Sequence, residues 1–288
     1  MTATLKLVYE TAKVRLGILI MACALAGIAV SPGETLSGWQ LLVIGFATLV
    51  AASAAGAFNQ FYERDLDARM QRTARRPFVT GRFEANGVWL SAIVLALALS
   101  VLAAALATNW LAAMYLFLGA FTYGVVYTVW LKRRTWLNIV VGGLSGSFAV
   151  LAGSAAMGAT FSPAPLILAL VLFLWTPPHF WALAFACRKD YAAAGVPMLP
   201  VIASDRVSTL SILWHVLILV PLSFVPFWYG MGWIYLASAV LGGLVFIFTS
   251  MRLHRQPNTG NAWRTFAGSI VQLGLLLTGA IADTLILG

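Results

Sequence analysis

GVWLSAIVLALALSVLAAALA, residues 87–107, runs for 21 positions without a charged residue or a proline. About 20 predominantly apolar residues cross the hydrocarbon core of a bilayer as a helix, so this stretch reads as a membrane span. Runs of the same kind recur on both sides of it, from Leu16 to Leu287. The composition agrees: 61% of the chain is hydrophobic and 9% charged, with a mean hydropathy of +0.90. A soluble domain carries about a quarter of its residues as charges, so the main solvent of this chain is lipid. No segment reads as a separate soluble domain, and residues 1–288 are expected to form one intramembrane domain.

The expected fold is all-α, a polytopic membrane protein of nine transmembrane helices. They are placed at 16–34, 39–61, 87–107, 110–130, 137–157, 164–186, 209–229, 231–251 and 266–287. Ser31-Pro32-Gly33, Thr108-Asn109, Ser162-Pro163 and Gly230 punctuate the breaks. With nine spans, all 18 basic residues fall on one side. By the positive-inside rule that side, with the N-terminus, is cytoplasmic; an even count scatters the charges over both faces. Lys6, Lys13 and Arg15 ahead of the first apolar run resemble a signal peptide, but the many spans that follow make it a retained first helix. The net charge of +9 is accounted for by membrane orientation and contact with anionic headgroups, and requires no nucleic acid. Cys23 and Cys187 belong to no ligand or disulfide pattern and read as packing residues.

At the end of the second span stands NQFYERDLDARMQRTARRPFVTGR, residues 59–82. Asn59, Glu63 and Asp67 are spaced i, i+4, i+8 and line one helix face at the cytoplasmic mouth. Asp65 lies about 200° round from Glu63 and points elsewhere. Two carboxylates and an amide offer hard oxygen ligands of the kind Mg²⁺ takes. The plain alternative is a solvated helix end whose acids pair with Arg64, Arg69 and Arg72. Ionisable groups at the edge of an apolar bundle argue for function instead. YTVWLKRRT, residues 127–135, adds Tyr127 and Lys132, and Arg72, Arg75 and Arg76 follow the acids. Acids holding Mg²⁺ beside several cations are what a diphosphate group requires. A weak parallel echo of this loop, with Asp190 near Arg188 and Lys189, follows the sixth span. In that span Pro177-Pro178 is expected to break the helix.

These blocks, with WTPPHFWALAFACRKDYAAAGVPMLPV at 175–201, resemble the UbiA-type intramembrane prenyltransferases, and within them the branch that farnesylates protoheme IX. The resemblance covers Lys13 to about Leu287. It implies that Asn59, Glu63 and Asp67 hold Mg²⁺, with Glu at a position the superfamily usually fills with Asp. It matches Arg64, Arg72 and Arg76 to the arginines after the motif, and Tyr127 and Lys132 to the pair after the fourth span. Of the second acidic motif common in the superfamily, Asp190 remains, and His179 stands where another acid is expected.

The implied reaction transfers the farnesyl group of farnesyl diphosphate to a vinyl group of heme B, with addition of water, giving heme O and diphosphate. Asn59, Glu63, Asp67, Arg72, Arg76, Tyr127, Lys132 and Asp190 are the expected catalytic set. His179 and His215 are the candidates for heme iron, His215 having a packed role as its alternative, while His254 falls in a solvated loop. Trp136, Phe180 and Trp181 are candidates for the tail or porphyrin pocket. The small residues Gly142, Gly143, Gly146 and Gly153 read as close helix packing. Membrane lipids, and a downstream heme-modifying enzyme or terminal oxidase assembly, complete the expected partners. Short loops and the lack of a targeting extension point to a bacterial inner membrane. Rival readings are a related prenyltransferase acting on a quinone or chlorophyll precursor, a transporter, and a structural partner of an oxidase. A transporter needs charges near the bilayer midplane, and here they crowd one mouth.

Overall fold

The computed structural model describes residues 3–33 and 35–287; residue 34, the far end of the first predicted span, lies outside them. Helices α1 (Ala3–Thr11), α2 (Val14–Ala29) and α3 (Gly38–Tyr62) are followed by the one-turn α4 (Arg64–Asp67), then α5 (Gly87–Ala107) and α6 (Trp110–Phe121). A π-helix, Thr122–Leu131, continues α6, and α7 (Asn138–Gly142) leads into α8 (Leu144–Ala156). Next come α9 (Pro163–Ala186), the short α10 (Arg188–Ala193) and α11 (Leu199–Ile202), and α12 (Asp205–Leu222) with a 3₁₀ turn at Val225–Tyr229. The hairpin α13 (Trp233–Arg255) and α14 (Thr259–Leu287) closes the bundle. No strand occurs among the described residues.

Among those residues eight spans are long and apolar enough to cross a membrane, and α1 with α2 forms a ninth that is bent by 48°. The first span therefore departs from expectation. It begins before residue 16, breaks at Ala12-Lys13 and ends at Ala29. The outer surface supports the membrane reading, because large apolar side chains such as Val88, Leu95, Leu99 and Leu106 of α5 stand exposed. In water such a surface is untenable.

Close backbone approach positions the central helices. α2 packs between α3 and α8 and reaches α14. A Cβ placed on Gly27 collides with the Val150 carbonyl, and one on Gly153 collides with the Ala24 carbonyl. Only glycine allows the α2–α8 crossing at that separation.

The consecutive prolines do not break the sixth span: α9 runs through Pro177 and Pro178. Proline removes the N–H, so the carbonyls of Phe173 and Leu174 lose their usual i+4 donors. Packing holds the turn in shape. Gly143 sits so close that a Cβ there would lie 3.2 Å from the Phe173 carbonyl and 3.1 Å from Thr176 Cβ. α12 and α14 start several residues earlier than their apolar cores suggest, because Ser204 caps the first turn at Val207 N and Asn258 accepts from Asn261 N. His254 is accordingly on the last turn of α13, with Nδ1 3.1 Å from Thr209 Oγ1, rather than in a solvated loop. At the opposite end Asp283 accepts backbone bonds from Gly232 and Tyr235, which fixes the start of α13 against α14.

Candidate active site at the basic end of the bundle

α3 stops at Tyr62 because Glu63 leaves helical geometry (φ −91°, ψ 12°), and α4 resumes for one turn. The i→i−4 bonds Glu63 N→Asn59 O (3.0 Å) and Asp67 N→Glu63 O (2.8 Å) persist across the junction. The stripe expected of one continuous helix thus survives a break. Asn59, Glu63 and Asp67 are 2%, 0% and 2% exposed. Asp65 turns outward and takes a bidentate pair with Arg133 at 2.8 Å for both bonds. That hydrogen-bonded pairing holds the Asp65 carboxyl below, and the Arg133 guanidinium above, their ordinary ranges.

Each inward side chain faces a cation from another element. Lys13 Nζ donates to Asn59 Oδ1 at 2.6 Å, Lys132 Nζ pairs with Glu63 Oε2, and Arg76 Nη1 pairs with Asp67 Oδ2 at 2.6 Å. Glu63 Oε1 is buried with no partner. No group of three His, Cys, Asp or Glu suited to a metal occurs among the described residues; the stripe supplies two carboxylates and an amide.

The expected fourth span is not a regular helix to its end. Thr122–Leu131 is π-helical, a form found often at functional sites. Its wider turns bring Tyr123 and Tyr127 into parallel stacking (5.7 Å, 10°). The bond Lys132 N→Tyr127 O (2.9 Å) then carries Lys132 over the Tyr127 ring at 5.6 Å. Asp190 does not join the stripe. Its Oδ2 accepts from the backbone N of Arg72 at 3.2 Å, which ties the two basic loops together. Burial pushes the pKa of the neighbouring Tyr191 hydroxyl up, and the positive charge of Arg72 opposes part of that rise.

Behind this mouth lies an apolar cavity of about 170 Å³. It extends from Tyr123, Tyr127 and His179 to Cys23, Thr48 and Ala149. Cys23 therefore lines a cavity besides packing, and Gly142 and Gly146 form part of the same wall. Phe180 lines it too, whereas Trp136 and Trp181 lie outside it, tilted 41° to each other at 6.4 Å. His179 is sandwiched between Trp175 (4.2 Å) and Phe266 (4.5 Å), with Nδ1 2.6 Å from Ser269 Oγ. His215 is half-buried, bonds the Ser211 carbonyl at 2.8 Å and meets the Trp181 ring edge-on at 5.1 Å. It does not line the cavity.

The model of the UbiA prenyltransferase family matches residues 20–276. The chain belongs to that family. This UbiA-family chain is 50% identical to "Protoheme IX farnesyltransferase 2" of Paramagnetospirillum magneticum, over the full length of both. It is 42% identical to "Protoheme IX farnesyltransferase 1" of the same organism, over 95% of this chain and 96% of the relative. Among solved structures, a UbiA homolog from Archaeoglobus fulgidus bound to GPP and Mg²⁺ superposes with a TM-score of 0.73 at 16% identity. That match covers 97% of this chain and all of the other. The protein is a multi-pass membrane prenyltransferase.

Four side chains in this UbiA-family site escape a reading of the sequence. Lys13 stands out in the sequence only as a basic residue ahead of the first apolar run, and Tyr123, Thr128 and Ser269 belong to no motif there. A four-residue spacing to Tyr127 was available for Tyr123; Lys13, Thr128 and Ser269 gave no local signal.

Proposed function

We propose that this prenyltransferase moves the farnesyl group of farnesyl diphosphate onto a vinyl group of heme B, adds water, and releases heme O and diphosphate. The observation that carries the reading is the buried stripe Asn59–Glu63–Asp67, each member held by a cation, at the mouth of the apolar cavity. The heme acceptor is supported by relatives named protoheme IX farnesyltransferase.

The donor set fits Mg²⁺: one amide oxygen and two carboxylates, one with a buried oxygen that lacks a partner. Asn59, Glu63 and Asp67 would hold the ion, which spreads the charge of the diphosphate and makes it a better leaving group. Arg72, Arg76 and Lys132 supply further positive charge to the leaving oxygens. The cavity receives the farnesyl tail and keeps water from the allylic carbon. The allylic C–O bond breaks with its electron pair going to diphosphate. The vinyl π pair of the porphyrin forms the new C–C bond, and water adds to the resulting cation with loss of a proton. Tyr127, stacked on Tyr123, walls the reacting carbon.

His179 is the side chain favoured for heme iron. The Ser269 hydroxyl donates to the Phe266 carbonyl at 2.6 Å, so the ring donates through Nδ1 and keeps its Nε2 lone pair. On the positive-inside argument the site opens to the cytoplasm, and the membrane is a bacterial inner membrane. The product stays lipid-bound, for collection by a heme-modifying enzyme or an oxidase assembly.

The test supplies heme B, farnesyl diphosphate and Mg²⁺ to membranes holding wild type or Asp67→Ala at matched protein levels. Farnesylated heme from wild type and none from the variant supports both reaction and site. No product from wild type overturns the heme acceptor and directs the search to quinone or chlorophyll precursors.

A further inference from the structure

We infer that Lys13 is a further diphosphate-contacting residue, resting on Asn59 and Tyr123 in the free protein and passing to diphosphate oxygens when substrate binds. The inference rests on the diphosphate reading above. Lys13 sits at the break between α1 and α2 with φ 49° and ψ 42°, and no other non-glycine among the described residues has positive φ. A lysine gains nothing locally from left-handed backbone, so tertiary contacts hold it there.

α3 builds the seat for it. Gln60 Nε2 donates to the carbonyls of Glu10 (2.9 Å) and Thr11 (3.1 Å), capping the end of α1. One turn earlier, Gly56 makes room for the lysine stem: a Cβ there would lie 3.3 Å from Lys13 Cβ. The ammonium then donates to Asn59 Oδ1 at 2.6 Å and to the Tyr123 hydroxyl at 3.0 Å. The amide of Asn59 is fixed in that sense. Its Nδ2 donates to Thr128 Oγ1 at 3.0 Å, and that hydroxyl already donates to the Tyr123 carbonyl at 2.8 Å.

Charge separates this from a structural bond. Lys132 and Arg76 each touch a carboxylate, but no carboxylate among the described residues lies within ion-pair distance of Lys13. A neutral donor would satisfy Asn59 equally well. A half-buried cation without a direct anionic partner is costly, and an arriving diphosphate would supply that partner. The same movement would release Asn59 Oδ1, the oxygen proposed for Mg²⁺.

The experiment measures binding of inorganic pyrophosphate to the purified full-length protein, with EDTA and with Mg²⁺, for wild type, Lys13→Gln and Lys13→Arg. Farnesol binding and thermal midpoint are recorded beside it. Glutamine keeps the hydrogen bond to Asn59 and removes the charge. The expected result is pyrophosphate affinity at least about tenfold weaker in Lys13→Gln, even without Mg²⁺. Lys13→Arg should recover most of it, and farnesol binding should not change. Equal pyrophosphate affinity in wild type and Lys13→Gln overturns the inference and leaves the diphosphate reading intact. Wild type that binds no pyrophosphate under either condition overturns both. If Lys13→Gln melts well below wild type and loses farnesol and pyrophosphate alike, Lys13 is structural and the inference fails.

Discussion

Lys132 pairs with Glu63 through Oε2 while Oε1 of the same carboxylate is buried without a partner. A fully buried carboxylate with one oxygen unsatisfied carries a standing desolvation cost. It sits beside Asn59 and Asp67, above an apolar cavity, where the proposed Mg²⁺ would supply the missing partner.

Glu63→Gln keeps the shape and removes the charge. It should lower kcat/KM by about 10²-fold or more, as expected when a group stabilising developing charge is lost. Heme product measured at matched protein levels checks this, and near-normal turnover would exclude Glu63 from the reaction.

Asp65→Asn should leave turnover within about twofold of wild type, since Asp65 faces outward and pairs with Arg133. Both partners are substantially exposed, so the pair contributes less than about 1 kcal/mol. Arg133 holds the Asp65 carboxyl below its ordinary range. The contribution is therefore complete above the unfolded value of about 3.9 and fades as pH falls through the lower folded one. Thermal melts of wild type and Asp65→Asn should differ slightly near neutral pH and converge in acid.

His179→Ala should change the optical spectrum of bound heme, because Nε2 is free to ligate only in this ring among those lining the cavity. His215→Ala should leave that spectrum alone, as His215 lies outside the cavity. Ser269→Ala should alter the spectrum less than His179→Ala, by loosening the ring's orientation. A spectrum changed only in His215→Ala would move the ligand to α12.

Gly153→Leu should destabilise the bundle by about 1–3 kcal/mol or more, the cost of overpacking, since even a Cβ meets the Ala24 carbonyl. Thermal stability in detergent checks it, and an unchanged midpoint would mean that α2 and α8 can separate freely.

Asp283→Ala should cost about 1–3 kcal/mol by stranding the backbone donors of Gly232 and Tyr235. Because it acts at the end of the bundle opposite the stripe, pyrophosphate affinity should stay at the wild-type value in folded protein.

Some of this was legible in the chain itself. Apolar runs of bilayer length, as at 87–107, depend on composition alone, and most spans lie where those runs lie. The facing of Asn59, Glu63 and Asp67, and the outward turn of Asp65, follow from a helical period of 3.6. That period survived even the break at Glu63, because the i→i−4 bonds continued across it. Tertiary structure decided what depends on neighbours distant in sequence. Lys13 reaches the site because Gln60, Gly56 and Asn59, some 45 residues away, hold its left-handed turn. Pro177 and Pro178 remain helical because α7 and α8 pack against the turn they weaken. The π-helix that stacks Tyr123 on Tyr127 has no local sequence code, since i→i−5 bonding is favoured only when packing supports the wider turn. Hydrophobic patterning is a property of each segment and can be read residue by residue. The partner of each charge depends on which segments meet, and that is known only once the helices are packed.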